Sequence, residues 1–200
     1  YFYLNKKNNI SKYQYDDEKV KLLIKKNINS RILKLDKENI NFPNILYAGT
    51  NKFQDEIIIQ GLKKVGLVEI ITRDNNEYGL HSKPIRSKNF IYDKKTVDTN
   101  SKILLEHIKS KKNIHIVVGQ FWANFLPMET LERIANLGII LVNISMDDIL
   151  PEHWGYYKNI KLGSIGLSSQ VDFTLSTSKE ICEWYFIEGN PAIYWPLASD

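Results

Sequence analysis

The stretch IHIVVGQFWANFLPMETLERIANLGIILVNI, Ile114–Ile144, contains two continuous aliphatic runs separated by a segment with helical spacing. The runs Ile114–Gly119 and Ile139–Ile144 lack the alternation of a half-exposed strand, which is typical of strands buried on both faces. Between them, Pro127 suits the first turn of a helix and Gly138 suits its end. Two buried strands joined by a helix predict a βαβ unit with parallel strands.

The same alternation of buried strands and helices continues on both sides of this unit. Strands are predicted at 44–49, 67–72, 171–176 and 192–197, and helices at about 55–65, 98–112 and 178–189. A further short strand is considered near 89–92, at the end of a long polar loop. We therefore predict an α/β fold, a Rossmann-like parallel sheet with flanking helices, over about Asn44–Asp200.

Local signals predict where the flanking helices begin and end. Gly66 is interpreted as the C-terminal cap of the first helix, and Asp98 or Thr99 as the N-cap of the second. Thr177 and Glu180 form a capping-box pattern for the third helix. These boundaries define the loops in which functional residues are sought.

The first 43 residues differ from the rest of the chain, because they are rich in Lys, Asn and Asp. One helical pattern runs from about Asp17 to Leu35, and Pro43 ends the segment. Apolar residues recur there at spacings of three and four: Val20, Leu23, Ile24, Ile28, Ile32 and Leu35. This N-terminal helical extension needs an apolar partner, either the domain that follows or another chain.

Composition and charge exclude several classes of protein. The 200 residues are 43% hydrophobic and 25% charged, as in globular domains, and no apolar run approaches the roughly 18 residues of a membrane span. The net charge of +4 comes from scattered lysines, so no nucleic-acid partner is expected, whereas peripheral contact with an anionic membrane is compatible with it. The single cysteine, Cys182, is interpreted as a buried apolar residue, and it indicates a reducing, cytoplasmic setting.

Polar and aromatic residues collect in the loops that follow the predicted strands. Ligands of an open parallel sheet bind beyond the carboxyl ends of its strands, so these loops are expected to share one edge. The candidate substrate contacts are Gly49, Thr50, Asn51, Gln120, Trp122, Asn124 and Ser178.

Alternative interpretations stay open for most of these residues. Gly49–Asn51 could form the floor of a cleft or a plain tight turn, and the segment lacks the GxGxxG spacing of a dinucleotide site. Trp122 with Gln120 and Asn124 resembles a carbohydrate platform, but a loop tryptophan is also often a lid on the core. The glycines of Gly163–Gly166 favour close packing over an anion site.

The segment NISMDDILPEHWG, Asn143–Gly155, places two adjacent carboxylates and a histidine directly after a predicted strand. Asp147, Asp148 and His153 are the candidate catalytic residues at this edge. Adjacent residues of an extended segment point in opposite directions, so a metal site is less favoured than an acid/base role, and no metal ligand is assigned.

The remaining histidines carry weaker signals. His107 lies in a predicted helix and His115 in a predicted strand, and both are interpreted as structural. His81 lies in the long polar loop, where the sequence assigns it no role.

The C-terminal stretch VDFTLSTSKEICEWYFIEGNPAIYWPLASD resembles a known family. Asp172 and Ser176–Ser178 fit a strand that leads to a helix, and Gly189 and the final PLASD fit the turn and strand that follow. The pattern resembles the end of the N-terminal Rossmann domain in glycosyltransferases of the GT-B fold, nearest to the group-1/family-4-like and spore-maturation branch. The resemblance covers about Asn44–Asp200.

This resemblance implies transfer of a sugar from a nucleotide-sugar donor to a carbohydrate-type acceptor, with no other cofactor. In the family the N-terminal domain mainly holds the acceptor, and most of the nucleotide site lies in a C-terminal domain. The resemblance therefore implies a donor half supplied by a missing C-terminal domain or a partner chain. Two alternatives are a non-catalytic Rossmann-like binding or scaffold module, and a metal-dependent enzyme that uses the Asp147, Asp148 and His153 loop.

Overall fold

The computed structural model describes residues 15–35, 42–82, 92–111, 113–146 and 155–196. The candidate catalytic residues Asp147, Asp148 and His153 lie outside the described residues, as do residues 197–200 and most of the short strand considered near 89–92.

The described residues form a six-stranded parallel sheet, which confirms the α/β prediction. Its strands are β1 (Asn44–Ala48), β2 (Leu67–Ile70), β3 (Ile116–Gly119), β4 (Ile140–Ser145), β7 (Phe173–Ser176) and β8 (Ala192–Tyr194). Their order is β2-β1-β3-β4-β7-β8, and every pairing is parallel. A small antiparallel pair, β5 (Tyr156–Tyr157) and β6 (Ile160–Lys161), lies in the connection between β4 and β7.

Helices precede or connect these strands. They are α1 (Asp17–Leu35), α2 (Lys52–Leu62), α3 (Lys94–Ser110), α4 (Met128–Asn136) and α5 (Lys179–Ile187), with 3₁₀ turns at Asp74–Asn76 and Ile165–Gln170. Among the described residues, no helix has the length and apolar character needed to cross a membrane.

Two predicted N-caps are wrong. The helix α3 begins at Lys94 after Asp93, so Asp98 and Thr99 lie inside it, and Asp98 pairs with Lys94 at 2.6 Å. The N-cap of α5 is Ser178 rather than Thr177, and its side chain makes no capping hydrogen bond. Thr177 instead donates its backbone N–H to the Ser145 carbonyl, because β7 remains paired with β4 up to that point.

The glycine assigned to the end of α2 has another role. The helix ends at Leu62 with Lys63 as the C-cap, three residues before Gly66. A Cβ on Gly66 would lie 2.5 Å from the Pro43 carbonyl oxygen, so this glycine permits close approach of two chain segments. Gly138, by contrast, has a φ of +82° directly after α4, as predicted for a glycine that ends a helix.

Alternate residues of each strand point to opposite faces of the sheet, and the two faces are covered differently. The first face carries Leu46, Val117 and Leu141, which pack with residues of α3 and α4. The second face carries Ile45, Val118, Val142 and Ile144, and α2 packs on part of it. This division follows from the strand order. The chain moves from β1 to β2 toward one edge of the sheet, and every later connection between strands of this sheet runs toward the other edge. Because such connections are right-handed, α2 lies on one face and α3 and α4 lie on the other.

The N-terminal helix α1 packs on the domain that follows it, at the amino edge of the sheet. Val20 is 1% exposed. The Asn27 side-chain amide donates to the Asp172 carbonyl oxygen at 2.9 Å, and Arg31 Nε donates to Asp172 Oδ1 at 2.9 Å. Ile32, predicted to share the apolar face, is instead 40% exposed, so polar contacts hold the second half of the helix.

Asp172 is the residue on which this docking depends. Its carboxylate is 1% exposed and also accepts the Leu141 backbone N–H at 2.8 Å. Burial raises the pKa of Asp172, whereas the Leu141 N–H and the Arg31 guanidinium act in the opposite direction. Arg31 of α1 therefore supplies the positive charge that stabilises the buried Asp172 carboxylate.

We predict that Arg31→Ala lowers the free energy of unfolding by about 2–4 kcal/mol, because it leaves the buried Asp172 carboxylate without its cation. Urea denaturation followed by circular dichroism measures the change. The matched control is Lys102→Ala, which removes an exposed lysine 3.9 Å from Glu106 and should have little effect. Equal loss in the two variants would contradict this role of Arg31.

Candidate functional site

The candidate site lies at the carboxyl edge of the sheet, where the connections after β1 and β3 leave toward opposite faces. Open α/β sheets bind ligands at such a switch point. The structure brings two of the predicted segments together there, because Thr50 Oγ1 lies 3.4 Å from Gln120 Oε1. Both side chains are partly exposed at this edge.

A buried carboxylate, Asp55, organises the edge from the first turn of α2. It is 0% exposed. Its Oδ1 accepts hydrogen bonds from Tyr47 Oη at 2.9 Å and Gln120 Nε2 at 2.7 Å, and its Oδ2 accepts from Thr50 N at 3.0 Å, Asn51 N at 3.1 Å and Tyr78 Oη at 2.8 Å. We call these residues the Asp55 cluster. Each carboxylate oxygen is therefore saturated by donors.

The two tyrosines of the Asp55 cluster act as hydrogen-bond donors rather than as acids or nucleophiles. Burial raises the pKa of Tyr47 far above its ordinary value, and the negative charge of Asp55 adds to the effect. The pKa of Tyr78 is raised in the same way, by burial and by its hydrogen bond to Asp55. Both phenols consequently keep their protons near neutral pH.

Gly49 is required by the Asp55 cluster. A Cβ at this position would lie 2.1 Å from Asp55 Oδ2 and 2.5 Å from Tyr78 Oη, closer than real side chains approach. Asn51 is the N-cap of α2, and its side chain accepts from the Phe53 backbone N–H at 3.2 Å. The helix therefore begins at Lys52, earlier than predicted, and Gly49 and Asn51 have structural roles at this edge of the sheet.

The aromatic part of the predicted carbohydrate platform is buried. Trp122 is 5% exposed and stacks on Phe125, with ring centroids 5.8 Å apart. Asn124 is 3% exposed, and its Oδ1 accepts from the Gly163 backbone N–H at 2.8 Å. These positions match the alternative interpretation, a lid on the core, and Gln120 is the residue of this loop that reaches the switch point.

Two other predicted features of the edge have structural roles. Ser178 occupies the N-cap position of α5 near the carboxyl end of β7, and its backbone N–H donates to Ser176 Oγ at 3.2 Å. In the segment Gly163–Gly166, a Cβ on Gly166 would lie 2.1 Å from the Lys161 carbonyl oxygen, so close packing explains this glycine. Cys182 is fully buried, as predicted.

Two histidines bind backbone groups, as expected for structural residues. His115 Nδ1 accepts the Asn44 backbone N–H at 2.8 Å, which links the amino ends of neighbouring strands. His107 Nδ1 lies 3.0 Å from the Ile103 carbonyl oxygen within its own helix.

A polar pocket that the sequence did not indicate lies beside the edge strand β2. Its volume is about 590 Å³, and the loop after β2 and one side of α3 form its walls. Arg73 Nη2 lies 3.2 Å from Glu77 Oε2, and Arg73 Nη1 lies 2.7 Å from His81 Nδ1. One feature of the sequence could have indicated this pocket. Polar residues of α3 recur at spacings of three and four, which places Thr99, Lys102 and Glu106 on one side of the helix.

The chemistry of this polar pocket favours neutral polar ligands over ions. The walls carry charges of both signs, two cations (Arg73 and Lys102) and three carboxylates (Asp74, Glu77 and Glu106). Within the described ranges, no group of three or more His, Cys, Asp or Glu side chains could hold a metal ion. Donors and acceptors are mixed along the walls, which is the pattern that hydroxyl-rich ligands require.

No family model, curated protein or solved structure matches this chain. Function is therefore inferred from its own residues and geometry.

We predict that Gly49→Ala lowers the free energy of unfolding by about 1–3 kcal/mol, because the added methyl group displaces Asp55 or Tyr78. The control is Gly61→Ala, inside α2, where the new Cβ would meet no atom within 4 Å beyond its chain neighbours and the adjacent helix backbone. That variant should gain about 0.5–1 kcal/mol from helix propensity. Urea denaturation of both proteins measures whether each substitution raises or lowers the free energy of unfolding. A Gly49→Ala variant as stable as the unaltered chain would contradict the packing described for the Asp55 cluster.

We predict that the pKa of His81 lies below its ordinary value of 6.5, because burial and the positive charge of Arg73 disfavour the protonated ring. Since the folded-state pKa is lowered, the stability that His81 contributes is present above its unfolded pKa and is lost as pH falls through the folded pKa. Titration followed by NMR measures the value.

Two variants test whether neighbouring charges control the pKa of His81, and they should shift it in opposite directions. Arg73→Gln should raise the pKa of His81, and Glu77→Gln should lower it further, because the Glu77 charge favours the protonated ring. Shifts in the same direction would show that the neighbouring charges do not control this histidine.

Proposed function

We propose that this chain is the acceptor-side half of a GT-B-type glycosyltransferase, which transfers a sugar from a nucleotide-sugar donor to a carbohydrate-type acceptor. The observation that carries the proposal is the contact between Thr50 and Gln120 at the switch point of the parallel sheet. In this proposal that edge is the acceptor crevice. Their hydroxyl and amide groups are suited to orienting an acceptor hydroxyl.

The candidate catalytic residues follow the strand beside this crevice. Gly119 of β3 is paired with Asn143 of β4, and β4 continues for two more residues to Ser145. Asp147, Asp148 and His153 come directly afterwards in the sequence. In this proposal one of them orients or deprotonates the acceptor hydroxyl, which attacks the anomeric carbon of the donor. The bond from that carbon to the diphosphate oxygen breaks, and the nucleoside diphosphate leaves.

The Asp55 cluster supports catalysis through position only. Asp55 is fully buried and its oxygens are occupied, so it does not contact substrate, but it fixes the amide of Gln120 and the backbone of Thr50. A rigid crevice floor keeps the acceptor in a reactive orientation. The donor half is contributed in this proposal by a C-terminal domain or by a partner chain.

The structure bears on the scaffold alternative at one point. A scaffold module could use the N-terminal helix to dock a partner, but Val20 of this helix is buried and Arg31 pairs with Asp172 of the same chain. The metal-dependent alternative predicts that activity responds to a divalent ion and is lost with a chelator.

We predict that alanine substitution of the residue that acts as the base, among Asp147, Asp148 and His153, lowers kcat by about 10²–10⁴-fold. Thr50→Val should mainly raise KM for the acceptor, by about threefold to tenfold, because it removes one hydroxyl hydrogen bond. Release of the nucleoside diphosphate from the donor measures turnover in protein that includes the donor half.

The control for charge removal is Asp98→Ala, an exposed carboxylate on α3 that should leave turnover unchanged. The catalytic assignment fails if all three alanine variants match this control. The function itself fails if protein with both halves releases no nucleoside diphosphate in the presence of sugar acceptors.

A further inference from the structure

The second face of the sheet carries an apolar trough beside α2. Its volume is about 650 Å³. The floor is formed by the side chains of β3, β4 and β7: Ile116, Val118, Val142, Ile144, Phe173 and Leu175. Parallel sheets are normally covered on both faces, so an apolar floor of this kind indicates an apolar occupant.

One wall of the trough continues into highly exposed apolar side chains. Phe53 and Ile57 lie one turn apart on α2 and are 88% and 76% exposed. Val65 lines the trough after the end of the helix and is 58% exposed. Adjacent apolar side chains with this exposure mark an interaction surface.

Positive charge accompanies this surface. Lys52 begins α2, and Lys63 and Lys64 follow its end, and all three are exposed. Within α2 the opposing exposed carboxylate is Glu56, since Asp55 is buried. The segment from 52 to 65 therefore carries an excess of cations around an apolar wall.

The charge argues against a second copy of this chain as the occupant. In a two-fold contact the same surface meets itself, so the lysines of one copy would face those of the other. An occupant that is apolar and anionic removes this repulsion.

The lining argues for hydrocarbon rather than for a protein segment. Protein interfaces usually contain about one hydrogen bond per 100–200 Å². Among the described residues that line the trough, Trp195 is the side chain with a hydrogen-bonding group, an indole of the kind that favours the boundary between lipid and water. Acyl chains require no hydrogen bonds.

We propose that this surface docks the chain on an anionic phospholipid membrane. Phe53 and Ile57 insert among the acyl chains beside the trough, while Lys63 and Lys64 contact the anionic headgroups. The two contributions act together, because neither a few apolar side chains nor two lysines alone give stable attachment. The proposal does not depend on sugar transfer.

Co-sedimentation with phospholipid vesicles tests the proposal. The chain should bind vesicles of phosphatidylcholine mixed with phosphatidylglycerol, and should bind vesicles of phosphatidylcholine alone much more weakly. Phe53→Glu and Ile57→Glu should each weaken binding about tenfold or more, because an apolar side chain is lost from the bilayer. The double variant Lys63→Gln/Lys64→Gln should weaken binding about 30-fold.

Matched variants elsewhere on the surface make the test specific. Leu33→Glu introduces the same charge change at an apolar residue that is 84% exposed on α1, and Lys25→Gln/Lys26→Gln removes two exposed lysines from that helix. Both controls should bind as the unaltered chain does. Binding that ignores phosphatidylglycerol, or equal losses in test and control variants, would overturn the proposal. A doubling of mass in light scattering without vesicles, abolished by Phe53→Glu, would instead identify a second copy as the occupant.

Discussion

The saturated carboxylate of Asp55 is the interaction on which the carboxyl edge of this sheet depends. It joins β1 through Tyr47, the following loop through Thr50 and Asn51, the segment after β2 through Tyr78, and the loop after β3 through Gln120. A buried charge is tolerated only when its acceptor positions are filled, so these segments must converge for the chain to fold. Gly49 is part of the same constraint, because a side chain there would occupy the space of the carboxylate.

A second buried carboxylate performs a comparable task at the opposite edge. Asp172 joins β4 and β7 to α1, since it accepts from Leu141 N and from Arg31 Nε. The two carboxylates thus organise opposite ends of the strands, and the aliphatic residues between them form the core. The candidate crevice and the N-terminal helix are therefore kept apart by the full length of the sheet.

Exposed surface is distributed unevenly around this framework. Helices α3 and α4 cover the first face, whereas the second face has α2 on one side and an apolar trough beside it. The proposed membrane surface and the proposed acceptor crevice share α2, whose first residues follow Thr50 and Asn51. Docking through Phe53 and Ile57 would consequently hold the crevice close to the bilayer, where a membrane-bound acceptor is within reach.

The sequence by itself predicted the α/β fold and the six strands of the parallel sheet, because continuous apolar runs such as Ile139–Ile144 are typical of parallel strands. It did not predict the small antiparallel pair β5 and β6. Because the loops that follow parallel strands share the carboxyl edge of the sheet, the sequence also placed Thr50 and Gln120 at one edge. Helix starts were less well determined, because Asp93 and Ser178 are as well suited to an N-cap as Asp98 and Thr177, so residue type did not separate them. Tertiary structure alone decided that Asp55 is a hub and that Asn124 is buried. Asp55 binds Tyr78 and Gln120, and Asn124 binds Gly163, all of which lie more than 20 residues away in the sequence. Tertiary structure also decided which face of the sheet carries the apolar trough that the described residues form, because strand order sets which face each helix covers.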